Sequence, residues 1–295
     1  VTRRLRSLAV VALAAAAAAP ASTAGAQGGG DLPTREPGLL TVGLNLPTPG
    51  FQVGSLAGTR IVYARGLEVD LAREVARRMG LRGVRLVQQP TFAGVLSAGP
   101  KAWDVAFAQA TVTAGRKRAV SFSVPYLTTD EGVLLRRGLP RPGPTSLADL
   151  ARLRLCVERG TTGAAIVARR ISATARPTRY REQTNMLQAL QAGRCDAVIL
   201  DATILSIQQA ATPERYGELL GRITTGQRYG AVLQRGSALL PAVNRALNAV
   251  RRDGTLDKIT ARWLTVTPRD LPVIPATAGA GAGVPAPGTE PVPLP

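Results

Sequence analysis

The sequence predicts an α/β protein built as two doubly wound lobes. Three observations predict it. Short apolar runs bounded by Gly or Pro alternate along the chain with segments of helical apolar spacing. A Pro- and Gly-rich stretch at 138–144 divides that alternation into two series. Between a Gly-rich N-terminal stretch and a Pro/Ala/Gly tract at the C-terminus, about 230 residues remain, enough for two domains of about 115.

The first series opens at 39–44, Leu-Leu-Thr-Val-Gly-Leu, an apolar run with the length of a buried strand. Residues 66–79 place apolar side chains at 67, 71, 72, 75, 76 and 79, one face of a helix that Gly80 closes. Residues 84–87 alternate as a strand. A short helix over 92–98 leads to a strand at 104–108, and 120–126 and 133–135 read as two further strands. The second series runs as strand 153–157, helix 163–171, weak strand 179–182, helix 185–192, strand 196–200 and helix 202–210. A strand at 229–233 and helices at 238–253 and 255–264 complete the pattern. Such alternation implies open, mostly parallel sheets with helices on both faces.

Composition narrows the function. The 295 residues include no His and two Cys, which excludes the common zinc sites and every His-dependent triad. No cofactor or metal is expected. The net charge is +18, and 34 of the 37 basic residues are Arg, the three Lys being Lys101, Lys117 and Lys258. These charges are scattered and aromatic residues make up 4%, which argues against a nucleic-acid interface.

The ends read as accessory segments. Arg3, Arg4 and Arg6 precede a weakly apolar run over 7–19, and Ala24-Gly25-Ala26 supplies a cleavage pattern, so 1–26 is expected to be a signal peptide. The run is shorter than the ~20 residues of a spanning helix. Residues 27–38 read as a linker and 268–295 as a disordered tail. Export implies an oxidising compartment, so Cys156 and Cys195 are expected to pair, two buried thiols being the alternative.

Seven motifs occur in order at fitting spacing. They are Gly66-Leu-Glu-Val-Asp-Leu, Trp103-Asp-Val, Thr111-Val-Thr-Ala-Gly-Arg116, Phe122-Ser-Val-Pro-Tyr126, Arg159-Gly-Thr-Thr162, Gly193-Arg-Cys-Asp-Ala-Val198 and Asp253-Gly-Thr-Leu-Asp-Lys258. Together they resemble the polar-amino-acid branch of the bacterial periplasmic solute-binding proteins, over residues 40 to about 266. The resemblance implies the type II periplasmic binding arrangement, two lobes joined by a two-strand hinge. Lobe 1 would be discontinuous, 39–136 plus 229–267, and lobe 2 would span 137–228. It further implies a monomeric, non-catalytic periplasmic receptor. Such a receptor binds a small molecule, an amino acid or a related carboxylate, between its lobes and delivers it to an ABC permease in the inner membrane. A small dehydratase-like enzyme on the same fold and a ligand receptor for a separate sensor are the alternatives.

Ligands of open α/β sheets bind beyond the C-terminal ends of the strands. Arg116 follows the strand at 104–108, and its planar guanidinium matches a carboxylate; a solvated surface Arg is the other reading. Thr111 and the neighbouring backbone at Ala110 add polar groups. In the family, the position matching Arg116 clamps the ligand's α-carboxylate and the one matching Thr111 assists. Thr161 and Thr162 lie in a strand-to-helix turn, an anion site or an ordinary helix cap. The resemblance makes this turn the second lobe's grip on the carboxylate. Asp201 ends the strand at 196–200, and the family's matching Asp meets the α-ammonium; capping the next helix is the alternative.

Several positions depart from the family pattern. Thr48 stands where an aromatic usually stacks on the ligand, and Ala108 replaces a frequent Ser. Phe92 matches a second stacking aromatic if one residue is deleted before Trp103. Asn45 stands where binders of basic amino acids carry Asp, which argues against Lys, Arg and ornithine. Cys156 precedes Thr161 by five residues and Cys195 precedes Asp201 by six, placing the two at similar height on strands ~4.8 Å apart.

Overall fold

The computed structural model describes residues 32–264, 266 and 268–277. The expected signal segment and the tail after 277 lie outside the described residues. The first half opens with β1 (Leu39–Leu44), a hairpin of β2 (Val53–Ala57) and β3 (Arg60–Arg65), and helix α1 (Leu67–Arg78). It continues through β4 (Gly83–Gln88), α2 (Phe92–Leu96), β5 (Val105–Ala106) and α3 (Ala114–Lys117). The sixteen-residue strand β6 (Val120–Leu135) crosses into the second half. There follow α4 (Leu147–Leu150), β7 (Leu155–Glu158), α5 (Thr162–Ile166), β8 (Thr178–Tyr180), α6 (Gln183–Gln191), β9 (Ala197–Asp201) and α7 (Ala202–Ala211). A second sixteen-residue strand, β10 (Leu219–Gln234), returns the chain, and α8 (Leu240–Arg252) and α9 (Thr255–Trp263) pack against α1.

Helix α1 shows why the pattern holds. Leu67, Val69, Leu71, Ala72, Val75 and Ala76 are buried on one side. Glu68 and Asp70 lie in its first turn and Arg77 and Arg78 in its last, which complements the helix dipole. Its entry needs Gly66, where φ is +135° and a Cβ would lie 2.1 Å from the Phe51 carbonyl oxygen.

Eight strands form one sheet in the order β4-β1-β5-β10-β6-β9-β7-β8. β1 pairs in parallel with β4 and β5, and β7 in parallel with β8 and β9. β6 and β10 are antiparallel to each other and to β9 and β5 respectively. The sheet is therefore mixed rather than mostly parallel, because two long strands traverse its centre in opposite directions. β6 merges the expected strands at 120–126 and 133–135 into one, and β10 begins well ahead of the expected 229.

The change of halves is built from this pair. The β6–β10 register slips between Glu131↔Ile223 and Thr129↔Gln227. Residues 224–226 loop over Asp130, whose carboxylate accepts from the backbone N–H of Thr225 (2.7 Å) and Gly226 (2.9 Å) and from Arg222 Nη1 (2.7 Å). Residues 131–135 pair with β9, so β6 has joined the strands of the second half by Glu131.

Both faces of the sheet are covered at β9, which is why that strand is apolar up to its last residue. In β9, Val198 and Leu200 pack in one cluster with Met186, Leu190 and Leu205. Ala197 and Ile199 pack on the other side with Leu155, Val157 and Ile166. Cys156 and Cys195 form a disulfide, with Cα atoms 5.9 Å apart. The expected register is corrected, because Cys156 lies opposite Val198 and Cys195 sits in the turn before β9. The bridge thus joins a strand to a turn.

The described parts of the accessory segments, residues 32–38 and 268–277, dock on the core. In the expected linker, Arg35 donates its backbone N–H to Asp104 (2.8 Å), and Glu36 pairs with Leu39 and with Arg85. In the expected tail, Val273 bridges to Arg222 and Ile274 is buried in the second cluster. The carbonyls of Pro275 and Ala276 accept from the backbone of Leu147 and Ala148. The composition rule fails here because one apolar side chain and a few backbone bonds suffice to dock a short segment on an existing core.

Candidate ligand-binding cleft

The parallel strands of both halves end at one place. β7 ends at Glu158 and β9 at Asp201, while Asn45 follows β1 and Ala108 and Gln109 follow β5. These residues border a cavity between the halves, with Phe92, Thr161 and Glu182. This is the crevice that the strand-end rule picks out.

Arg116 is set by α3, where Thr113 Oγ1 accepts the Arg116 backbone N–H (3.1 Å). Its guanidinium lies over the Phe92 ring, 5.2 Å from the centroid. Nη1 donates to the Thr111 carbonyl (2.8 Å), and Nη2 reaches across to the Gly160 carbonyl (3.0 Å). Arg116 therefore ties the first half to the second. Burial lowers its pKa to about 10, while Asp201, Glu131, Tyr229 and Glu158 act in the opposite direction.

Thr111 and Ala110 are held against β10. Thr111 bridges to Tyr229, and the Ala110 carbonyl accepts from Gly230 (3.0 Å). The Thr111 hydroxyl (2.7 Å) and the Thr162 hydroxyl (2.8 Å) both donate to Gln227 Oε1. Gln227 Nε2 in turn donates to Glu131 Oε1 (2.7 Å). One amide on β10 thus joins a hydroxyl from each half. Thr161 caps α5, accepting from Ala164 and donating to the Glu158 carbonyl (2.8 Å). Of the residues singled out in the sequence, Phe92, Thr161 and Asp201 border the cavity with Arg116 stacked at its edge. Thr111 and Thr162 meet through Gln227, and Ala110 serves β10.

Asp201 stands at the N-cap position of α7 but makes no capping bond with its side chain. It is 6% exposed, and its Oδ1 has no hydrogen-bond partner among the described residues. The nearby Tyr229 hydroxyl, itself without a hydrogen-bond partner among the described residues, acts to lower its pKa. Burial outweighs that effect and pushes the carboxyl up. Glu131 lies directly opposite Asp201 across β6 and β9. Burial and the Asp201 charge push the Glu131 carboxyl up as well. Its Oε2 is also without a partner and packs on Gly163, where a Cβ would sit 2.9 Å from it and 2.6 Å from the Ile199 carbonyl. Burial, then Glu182 and Asp201, raise Glu158 to about 8, with Arg116 opposing.

Gln227, Glu131 and Glu158 were not foreseen. Glu158 had a readable signal, because it ends a strand as Asp201 does and precedes the Arg159-Gly-Thr-Thr162 motif. Gln227 and Glu131 lie in hinge segments with no clear apolar pattern. Among the described residues, no group of three or more acids or Cys is arranged to hold a metal ion. Chemically, the cleft offers the Arg116 guanidinium, the partnerless Oδ1 of Asp201 and the carboxyl of Glu158.

The profile of the bacterial extracellular solute-binding proteins, family 3, matches residues 40–266. The L-cystine-binding protein TcyJ of Escherichia coli is 28% identical over 233 residues, covering 78% of this chain and 84% of that protein. An ancestral arginine-binding protein bound to glutamine superposes with a TM-score of 0.67 at 29% identity, over 77% of this chain and 98% of its own. The solute receptor for L-cysteine of Neisseria gonorrhoeae superposes with a TM-score of 0.68 at 25% identity, over 79% and 95%. With more than half of its length matched, the chain belongs to family 3 of the bacterial extracellular solute-binding proteins.

Proposed function

We propose that this protein is the periplasmic substrate-binding component of an ABC importer and that it holds an amino acid between its two halves. The observation that carries this reading is the pairing of Arg116 with the partnerless Oδ1 of Asp201 in one cleft. A guanidinium suits an α-carboxylate, and a buried carboxylate calls for a cation. The two together are the complement of a zwitterion. The Thr161 turn and Gly160 bring the second half to the same point.

Binding without chemistry is favoured, because the relatives above are named for the solutes they bind. The ligand contacts both halves only in the closed form, so it shifts an open–closed equilibrium across β6 and β10. The closed form is what docks on a permease in the inner membrane. The test is a thermal-shift screen of the mature protein against the protein amino acids. A ligand at 100 times its Kd stabilises by roughly 2.7 kcal/mol. At least one amino acid should raise the melting temperature by several degrees, and no response to any of them would contradict the reading.

A further inference from the structure

The cleft holds more acid than base. Glu131, Glu158 and Asp201 are 0%, 5% and 6% exposed, and among the described residues Arg116 is the one cation that opposes all three. A zwitterionic ligand brings one charge of each sign and leaves that excess untouched. On the amino-acid reading, on which this inference rests, Arg116 takes the α-carboxylate and Asp201 the α-ammonium. Glu131 is accounted for separately. It sits behind Gln227, bonded to its amide, and does not border the cavity.

Glu158 has no such explanation. It ends β7, borders the cavity beside Asp201 and Glu182, and among the described residues no group donates to its carboxylate. A neutral ligand side chain would seal this group away from water, protonated and without a hydrogen-bond partner, whereas a cation would let it ionise and pair with it. We infer that the ligand is an amino acid with a second cationic group on its side chain, held by Glu158 with the half-buried Glu182 beside it. Asn45 pointed away from basic ligands, since it stands where such binders carry Asp. Here the negative charge comes from the other half of the fold, at the end of β7.

The experiment compares cationic amino acids with neutral ones of matching shape by calorimetric titration. L-arginine is set against L-citrulline, and L-lysine against L-norleucine, with wild type and Glu158→Gln. The expected result is that one cationic member binds wild type roughly 30-fold or more tightly than its neutral counterpart. That preference should collapse in Glu158→Gln, whose unliganded melting temperature reports its folding. Equal or tighter binding of the neutral member to wild type overturns the inference while leaving the amino-acid reading intact. So does a preference that survives in folded Glu158→Gln. Failure of every amino acid to bind wild type overturns both.

Discussion

Replacing Asp201 with Asn removes a charge that caps no helix and that, in the unliganded fold, faces the Arg116 charge without a hydrogen bond to it. The side chain is buried, makes no capping bond, and leaves Oδ1 without a partner. Burial pushes its pKa above the ordinary carboxylate value, so folding disfavours its ionised form. The stability tied to this group is complete below the unfolded pKa and is lost as pH rises through the folded one. At about pH 8, Asp201→Asn should therefore leave the unliganded melting temperature unchanged or raise it. Asp201→Ala separates this from capping, since loss of a cap costs about 1 kcal/mol and lowers the melting temperature of a domain this size by roughly 2–4 °C. No such drop is expected. The ligand responds in the opposite way, because its ammonium loses a buried partner. A loss of about 3 kcal/mol, on the order of 100-fold in Kd, is expected by calorimetry. An analogue without the α-amino group should bind wild type weakly and lose little further in Asp201→Asn. Additive losses in that four-way comparison, or a clear drop in unliganded stability, would refute the assignment of Asp201 to the amine.

Three other perturbations probe different parts of the structure. Arg116→Lys should recover only part of the affinity lost in Arg116→Ala, about 2–5 kcal/mol, because an ammonium cannot reach both Thr111 and Gly160 while stacking on Phe92; full recovery by Lys in calorimetry would contradict the bidentate role. Unliganded stability should fall between about pH 5 and pH 8, because burial raises Glu68 to about 7 and Glu158 to about 8, and each acid stabilises only while protonated. Glu68 alone accounts for roughly 3 kcal/mol of that fall in urea titrations, and a stability that rises over this range would count against the buried acids. Removing the Cys156–Cys195 bridge by double substitution to Ser should cost about 3–4 kcal/mol, given a sequence separation of 39. Thiol titration of the unfolded, unreduced protein should find no reactive Cys, and two per chain would contradict the bridge.

What could be read from the sequence followed burial. The helix at α1 was legible because Leu67, Leu71, Val75 and Ala76 face one core at helical spacing. The strands at β1, β7 and β9 were legible because both faces are covered and the runs are apolar. The hairpin of β2 and β3 gave no such signal. Leu56, Val62 and Tyr63 are about half exposed there, so no buried face imposes an alternation. The first part of β10 was hidden by Gly221 and by the bulge at 224–226, where polar residues serve Asp130 rather than a core. That gap concealed Gln227, and with it the link between Thr111 and Thr162. Asp201 was accessible through the strand-end rule together with the family pattern. Glu158 obeys the same rule, but the family pattern falls on the Arg159-Gly-Thr-Thr162 motif that follows it.

The central claim is that one amino acid sits between Arg116 and Asp201. Equilibrium dialysis of the protein against a mixture of amino acids, with mass-spectrometric identification of what is retained, tests it most directly. One equivalent of an amino acid per chain should be held by wild type and lost from both Arg116→Ala and Asp201→Asn. Retention of none, or retention undiminished in the two folded variants, would contradict the account.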